Sequence, residues 1–240
     1  MTAMDSARRL AWTSVLALAL VAAAACGPRD GLPAGRREEP PAADAKRPAP
    51  APVQRPRIVV LGDSLTAGLG LSPDQAYPAL LQRRLNDEGL AYDVVNAGVS
   101  GDTSAGGLSR LNWALDGDVR VLIVALGGND ALRGLPPAEL RHNLSRIIEQ
   151  AQARKIAVVL AGMEAPPNYG GDYTAAFRQV YPDLARLYHV TLLPFLLDGV
   201  AGHETLNQPD GIHPTAAGAR IVADNVWSVL QPLVEKRPAS

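Results

Sequence analysis

The sequence predicts an α/β protein, a parallel sheet with helices on both faces, and three observations carry that prediction. From Ile58 onward, short aliphatic runs alternate with stretches whose apolar residues recur at helical spacing. The third run, residues 119–126, is almost wholly aliphatic, as expected of a strand buried on both faces. Polar or glycine-rich turns follow the first three runs, and a fourth precedes the last helix.

Taken in order, the first strand is expected over 57–61, stopping at Gly62-Asp63-Ser64-Leu65. A helix over 77–88 sets Leu80, Leu81 and Leu85 at core spacing, and Gly89 closes it. Strand two, 93–96, runs into a small-residue loop containing Ser100-Gly101-Asp102-Thr103-Ser104, then a helix through Leu108, Leu111 and Leu115. Strand three ends at Gly127-Gly128-Asn129-Asp130. The helix over 136–154 has proline in its first turn and a stripe of Leu140, Leu144, Ile147 and Ile148. Strand four (156–161), a loop rich in Pro, Gly and Asn (162–172), a helix (173–188) and strand five (190–193) follow. Asp210-Gly211-Ile212-His213-Pro214 leads into a last helix over 215–233, with Ile221, Val222, Val226, Val229 and Leu230 facing the core.

The front of the chain reads differently. Arg8 and Arg9, an uncharged stretch over 10–25 and the small residues Ala22 to Ala25 before Cys26 form the three-part pattern of an export signal. The stretch is short for a bilayer span, which favours cleavage over a permanent anchor. Cys26 is the only cysteine, so no internal disulfide is available, and its place resembles a bacterial lipid-attachment box. Such boxes usually carry a larger aliphatic residue where this chain has Ala23, so lipidation of Cys26 and a soluble periplasmic product cut after an Ala-x-Ala site both stay open.

A segment over 27–56, with Pro48-Ala49-Pro50-Ala51-Pro52, is too rich in proline and charge to offset the entropy of ordering and reads as a tether. The organisation is therefore signal 1–26, tether 27–56, folded domain 57–235 and tail 236–240. Residues 1–26 carry +1 and residues 27–57 carry +3 of a total of −1, which leaves about −5 for the domain and argues against a nucleic-acid partner.

In an α/β sheet the turns after the strands gather at the carboxyl edge, so Ser64, Gly101, Asn129 and the Asp210/His213 pair are expected to converge on one crevice. Taken alone, the Gly62-Asp63-Ser64-Leu65 turn reads better as an ordinary helix cap. Together, the residue types are those acyl transfer needs. A serine hydroxyl requires an imidazole base, the imidazole a carboxylate to fix its tautomer, and the developing oxyanion fixed N–H donors. Asp210 and His213, three apart in one turn, are close enough for one to orient the other. Thr66 stands where an α/β-hydrolase elbow G-x-S-x-G needs its second glycine, and no P-loop Gly-Lys-Ser/Thr occurs. The carboxylates Asp63, Asp130 and Asp210 have no cysteine or close histidine pair to support them as a metal set, so no metal or other cofactor is expected.

The four blocks resemble the SGNH (GDSL-motif) hydrolase family, and Asp130 to Gly134, Pro167-Asn168-Tyr169-Gly170 and Leu192-Leu193-Pro194-Phe195 resemble its bacterial thioesterase/lysophospholipase/arylesterase branch. The resemblance implies a flavodoxin-like three-layer α/β/α sandwich with strand order 2-1-3-4-5. It also implies Ser64 as nucleophile and first oxyanion donor, Gly101 and Asn129 as the other donors, His213 as base and Asp210 as its partner. Leu132, Leu135, Pro166, Pro167 and Tyr169 fall in loops above the expected crevice, where plain packing and the lining of an acyl-chain groove are both open. Asp130 has two readings, a substrate contact or, like Asp63, a carboxylate that positions loops. His142, His189 and His203 are placed on the surface.

The expectation is an exported serine esterase, a monomer, acting on acyl esters and extending to thioesters or lysophospholipids. The alternatives are a polysaccharide O-acetyl esterase and a non-catalytic lipid- or glycan-binding protein on the same fold.

Overall fold

The computed structural model describes residues 55–235; the signal, Cys26, most of the tether and the tail lie outside the described residues. Five parallel strands form one sheet in the order β2-β1-β3-β4-β5: β1 (Arg57–Gly62), β2 (Asp93–Gly98), β3 (Val119–Ala125), β4 (Ala157–Ala161) and β5 (Thr191–Leu193). Every side chain of β1 from Ile58 to Gly62 is buried, and in β3 only Arg120 is exposed. The edge strands β2 and β5 are only half covered, so the buried aliphatic runs are the central strands.

The helices are α1 (Ser64–Ala67), α2 (Tyr77–Asp87), α3 (Ser104–Ser109), α4 (Leu111–Ala114), α5 (Gly128–Leu132), α6 (Pro137–Ala153), α7 (Gly171–Tyr188) and α8 (Ala216–Glu235). The chain leaves β1 toward β2 on one side of the sheet and later builds β3, β4 and β5 on the other. Right-handed crossovers then put the helices on opposite faces. Accordingly α2 packs on α8, while α3 packs on α6 and α6 on α7. Leu81, Leu85, Leu140, Leu144, Ile147, Ile148, Val226 and Leu230 are fully buried against the strands, at the spacing read from sequence.

Two differences from the sequence reading matter for the site. The single helix expected through Leu108, Leu111 and Leu115 is broken at Arg110, which caps α3 and opens α4 with φ −103° and ψ 6°. Short helices also follow β1 and β3 at once, as α1 and α5, where sequence showed only turns. Helices of four and five residues carry too little apolar periodicity to be seen.

The register aligns Gly62 with Gly98 of β2 and Ala125 of β3, so three strands end level. A connection leaves β1 for one side and the chain returns to β3 on the other, which makes the gap above them the topological switch point where such sheets hold ligands. Among the described residues, no helix is long and apolar enough to cross a membrane.

Candidate active site

β1 delivers Asp63 and Ser64 at its end. Asp63 caps α1, its Oδ1 accepting the Leu65 N–H at 3.0 Å. Ser64 opens that helix, where a backbone N–H has no intrahelical acceptor and so can face a ligand. α1 lies so close to β2 that a Cβ on Gly98 would stand 2.3 Å from Ala67 N and 2.8 Å from Asp63 O, which is why a glycine occupies that strand end.

The fourth turn brings the candidate base. His213 Nε2 lies 2.8 Å from Ser64 Oγ, and His213 Nδ1 lies 2.7 Å from Asp210 Oδ2. With the ring proton on Nδ1 and donated to the carboxylate, Nε2 is free to accept the serine proton. The Asp210 Oδ1 takes the backbone N–H groups of Ile212 at 2.9 Å and His213 at 3.0 Å, so the carboxylate closes the turn that carries its own partner. The His213 and Ile212 backbone N–H groups and the His213 ring together hold the Asp210 carboxyl down at about 2, ionised throughout the working range. The turn is steadied from behind by Gln208 N–H donating to His213 O at 2.7 Å.

The two remaining candidate donors meet on one residue. Gly101 adopts φ +84° in a turn closed by Asp102 N–H to Val99 O at 3.1 Å, a conformation a glycine takes without strain. The carbonyl of Asp102 then accepts from Asn129 Nδ2 at 2.9 Å, while Asp63 Oδ2 takes the same amide at 3.2 Å. Asp63 is only 2% exposed, and burial lifts its carboxyl to about 6, against the pull of the Leu65 N–H, the nearby His213 and the Asn129 amide.

Ser64, Asn129 and His213 open on a crevice of about 380 Å³ whose other walls are mainly apolar, among them Leu132, Met163, Pro166, Pro167, Phe195, Leu197 and Ile212. Of the loop residues singled out in the sequence, Leu132, Pro166 and Pro167 thus reach the crevice. Asp130, Leu135 and Tyr169 are not among its walls. Asp130 is 1% exposed and spends its carboxylate on Ser104, accepting the backbone N–H at 2.8 Å and the hydroxyl at 2.5 Å. The Tyr169 hydroxyl donates to Leu132 O at 2.8 Å, and Tyr173 donates to Leu135 O at the same distance. These bonds brace the loop after α5. His142, His189 and His203 are exposed, with His189 closing α7 at φ 52°.

Sequence reasoning missed Arg110. Its guanidinium donates through Nε to Asp102 Oδ2 at 2.6 Å, through one terminal nitrogen to Ala97 O at 2.7 Å and through the other to Gly62 O at 2.8 Å. The available signal was an arginine inside the apolar pattern of Leu108, Leu111 and Leu115.

A family model described as the GDSL-like Lipase/Acylhydrolase family matches residues 60–221. The chain is 48% identical over 178 residues to a protein of Pseudomonas aeruginosa named Esterase TesA, a match covering 74% of this chain and 89% of that one. It is 40% identical over 178 residues to Thioesterase 1/protease 1/lysophospholipase L1 of Escherichia coli, covering 74% of this chain and 84% of that one. Among solved structures, AlinE4, an SGNH-hydrolase family esterase, superposes with a TM-score of 0.63 at 45% identity, covering 78% of this chain and 98% of that one.

Proposed function

This chain belongs to the GDSL-like lipase/acylhydrolase family and is a carboxylic ester hydrolase, and we propose that it works through an acyl-enzyme formed on Ser64. The observation that carries this reading is the series Ser64 Oγ, His213 and Asp210, joined at 2.8 and 2.7 Å.

Ser64 Oγ attacks the ester carbonyl as its proton passes to His213 Nε2, and Asp210 stabilises the imidazolium that forms. The carbonyl π electrons move onto oxygen, and the oxyanion is met by the N–H groups of Ser64 and Gly101 and by the Asn129 amide. Asn129 exchanges its longer, 3.2 Å contact with Asp63 for the oxyanion and keeps the one with Asp102. His213 then protonates the departing alkoxide or thiolate. Water, deprotonated by the same nitrogen, releases the acid and restores Ser64. The apolar walls take the acyl chain, which extends the reading to thioesters and lysophospholipids, the activities printed in the name of the Escherichia coli relative. We propose further that the product is exported by its signal segment and anchored through lipidated Cys26.

Ser64→Ala and His213→Ala are expected to lose about a thousandfold or more in kcat on a p-nitrophenyl ester without a fall in Tm. Asn129→Ala is expected to lose on the order of a hundredfold or more. A fluorophosphonate probe should label Ser64. Undiminished turnover in Ser64→Ala would refute the mechanism, and an unlabelled, inactive protein would return the reading to a non-catalytic binder.

A further inference from the structure

Arg110 lies outside the crevice and touches none of the reacting groups, yet it bonds to the backbone or side chain beside each of the proposed oxyanion donors. Gly62 O, which it holds at 2.8 Å, is two residues before Ser64 and also accepts Val99 N–H at 3.1 Å, tying the end of β1 to the start of the Gly101 turn. Ala97 O, at 2.7 Å, is the strand end from which that turn departs. The Asp102 carboxylate, at 2.6 Å, belongs to the residue that follows Gly101 and whose carbonyl holds Asn129 Nδ2. The Arg110 and Asp102 side chains are 17% and 19% exposed, so the ion pair is shielded from most of the solvent that weakens such pairs on a surface.

We propose that Arg110 is a positioning residue for the oxyanion site, its guanidinium locking the loops that carry the Ser64, Gly101 and Asn129 donors into one register. A guanidinium offers five N–H donors in a planar fork, and three of its nitrogens are used here on three different acceptors. A lysine supplies the same charge as a single point and cannot hold three acceptors in those directions. Oxyanion donors act only when fixed at hydrogen-bonding distance from where the charge develops, so loosening the frame costs rate rather than substrate binding. The break between α3 and α4 falls at this same residue.

The inference rests on the serine mechanism above, and the test separates the two. In the full chain, kcat, KM and Tm are measured on p-nitrophenyl butyrate for wild type, Ser64→Ala, Arg110→Lys, Asp102→Asn, Asn129→Ala and the double variant Arg110→Lys/Asn129→Ala. Arg110→Lys is expected to lower kcat about 10- to 100-fold with KM within about threefold. In the Asn129→Ala background the same change should cost several-fold less, because a donor it positions is gone. A role confined to folding predicts a lowered Tm and independent, multiplicative effects on rate, and that result overturns the inference. So does wild-type kcat in Arg110→Lys while Ser64→Ala is dead. Turnover that survives Ser64→Ala overturns the serine mechanism and this inference with it. If Arg110→Lys fails to fold, Asp102→Asn, which weakens one arm of the frame, is judged by the same kcat criterion.

Discussion

Asp63 and Asp210 flank the same serine and titrate in opposite directions, and the cause in each case is local. Asp210 is open to water and takes two backbone N–H groups and an imidazole, so its charged form is favoured. Asp63 takes one backbone N–H and a 3.2 Å amide inside a nearly closed pocket, and desolvation outweighs both. A carboxyl raised in the folded state from 3.8 to about 6 contributes stability fully present below its unfolded value and lost as pH rises through 6. As pH rises from 4 to 7, denaturant unfolding should therefore show the stability of Asp63→Asn gaining on wild type by up to about 3 kcal/mol. A pH-independent gap would show that Asp63 titrates alike in the folded and unfolded chain and that burial does not raise it. Ser64, Asp210 and His213 were legible in the sequence as candidates, because acyl transfer ties their types together and their motifs resemble those of the SGNH family. Arg110 was not, because its partners Gly62, Ala97 and Asp102 are chosen by distance in space.

At the scale of elements, the site depends on how closely α1 approaches β2. Gly98→Ala places a methyl against Ala67 N and Asp63 O, two backbone atoms that cannot rotate away. The expected result is a loss of about 1–3 kcal/mol by denaturant unfolding, with kcat falling as Ser64 is pushed from His213. Unchanged kcat at reduced stability would mean the strain is absorbed elsewhere. The long elements were read correctly because fifteen or so residues of consistent periodicity outweigh any local preference; α6 and α8 differ from expectation only at their ends. The short helices at the strand ends were hidden by their length. The aromatic row Tyr169, Tyr173, Phe177 and Tyr181 shows the same limit: its rings meet in turn from the loop before α7 along that helix, tilted, stacked and edge-on, and three hydroxyls reach the β3–α6 connection. The hydroxyl of Tyr169 thus braces the loop that carries Leu132, a contact its loop position in the sequence did not show.

The whole molecule sets Ser64, the proposed nucleophile, in an apolar crevice above the switch point of the sheet. Filling that crevice should sort substrates by chain length. Ala165→Trp, at a lining position, is expected to lower kcat/KM for a p-nitrophenyl octanoate ester about tenfold or more relative to acetate. Equal losses on both would place the acyl chain elsewhere. For the export proposal, mass spectrometry of the mature N-terminus should find a diacylated or triacylated Cys26, and an unmodified chain beginning beyond Cys26 would exclude the anchor.

By itself the sequence determined the fold class and the succession of strands, because apolar periodicity is a local property that a linear text records, and its resemblance to the SGNH family marked Ser64, His213 and Asp210 as the candidate nucleophile, base and orienting acid. Only the tertiary structure decided which polar groups meet. Asn129 finds Asp63 across 66 positions, Arg110 finds Gly62 across 48, and Asp130 turns away from the crevice to Ser104 across 26. A buried carboxylate, amide or guanidinium takes whichever partner the packed loops bring within 3 Å, and that is settled by strand register and helix placement after the chain has folded.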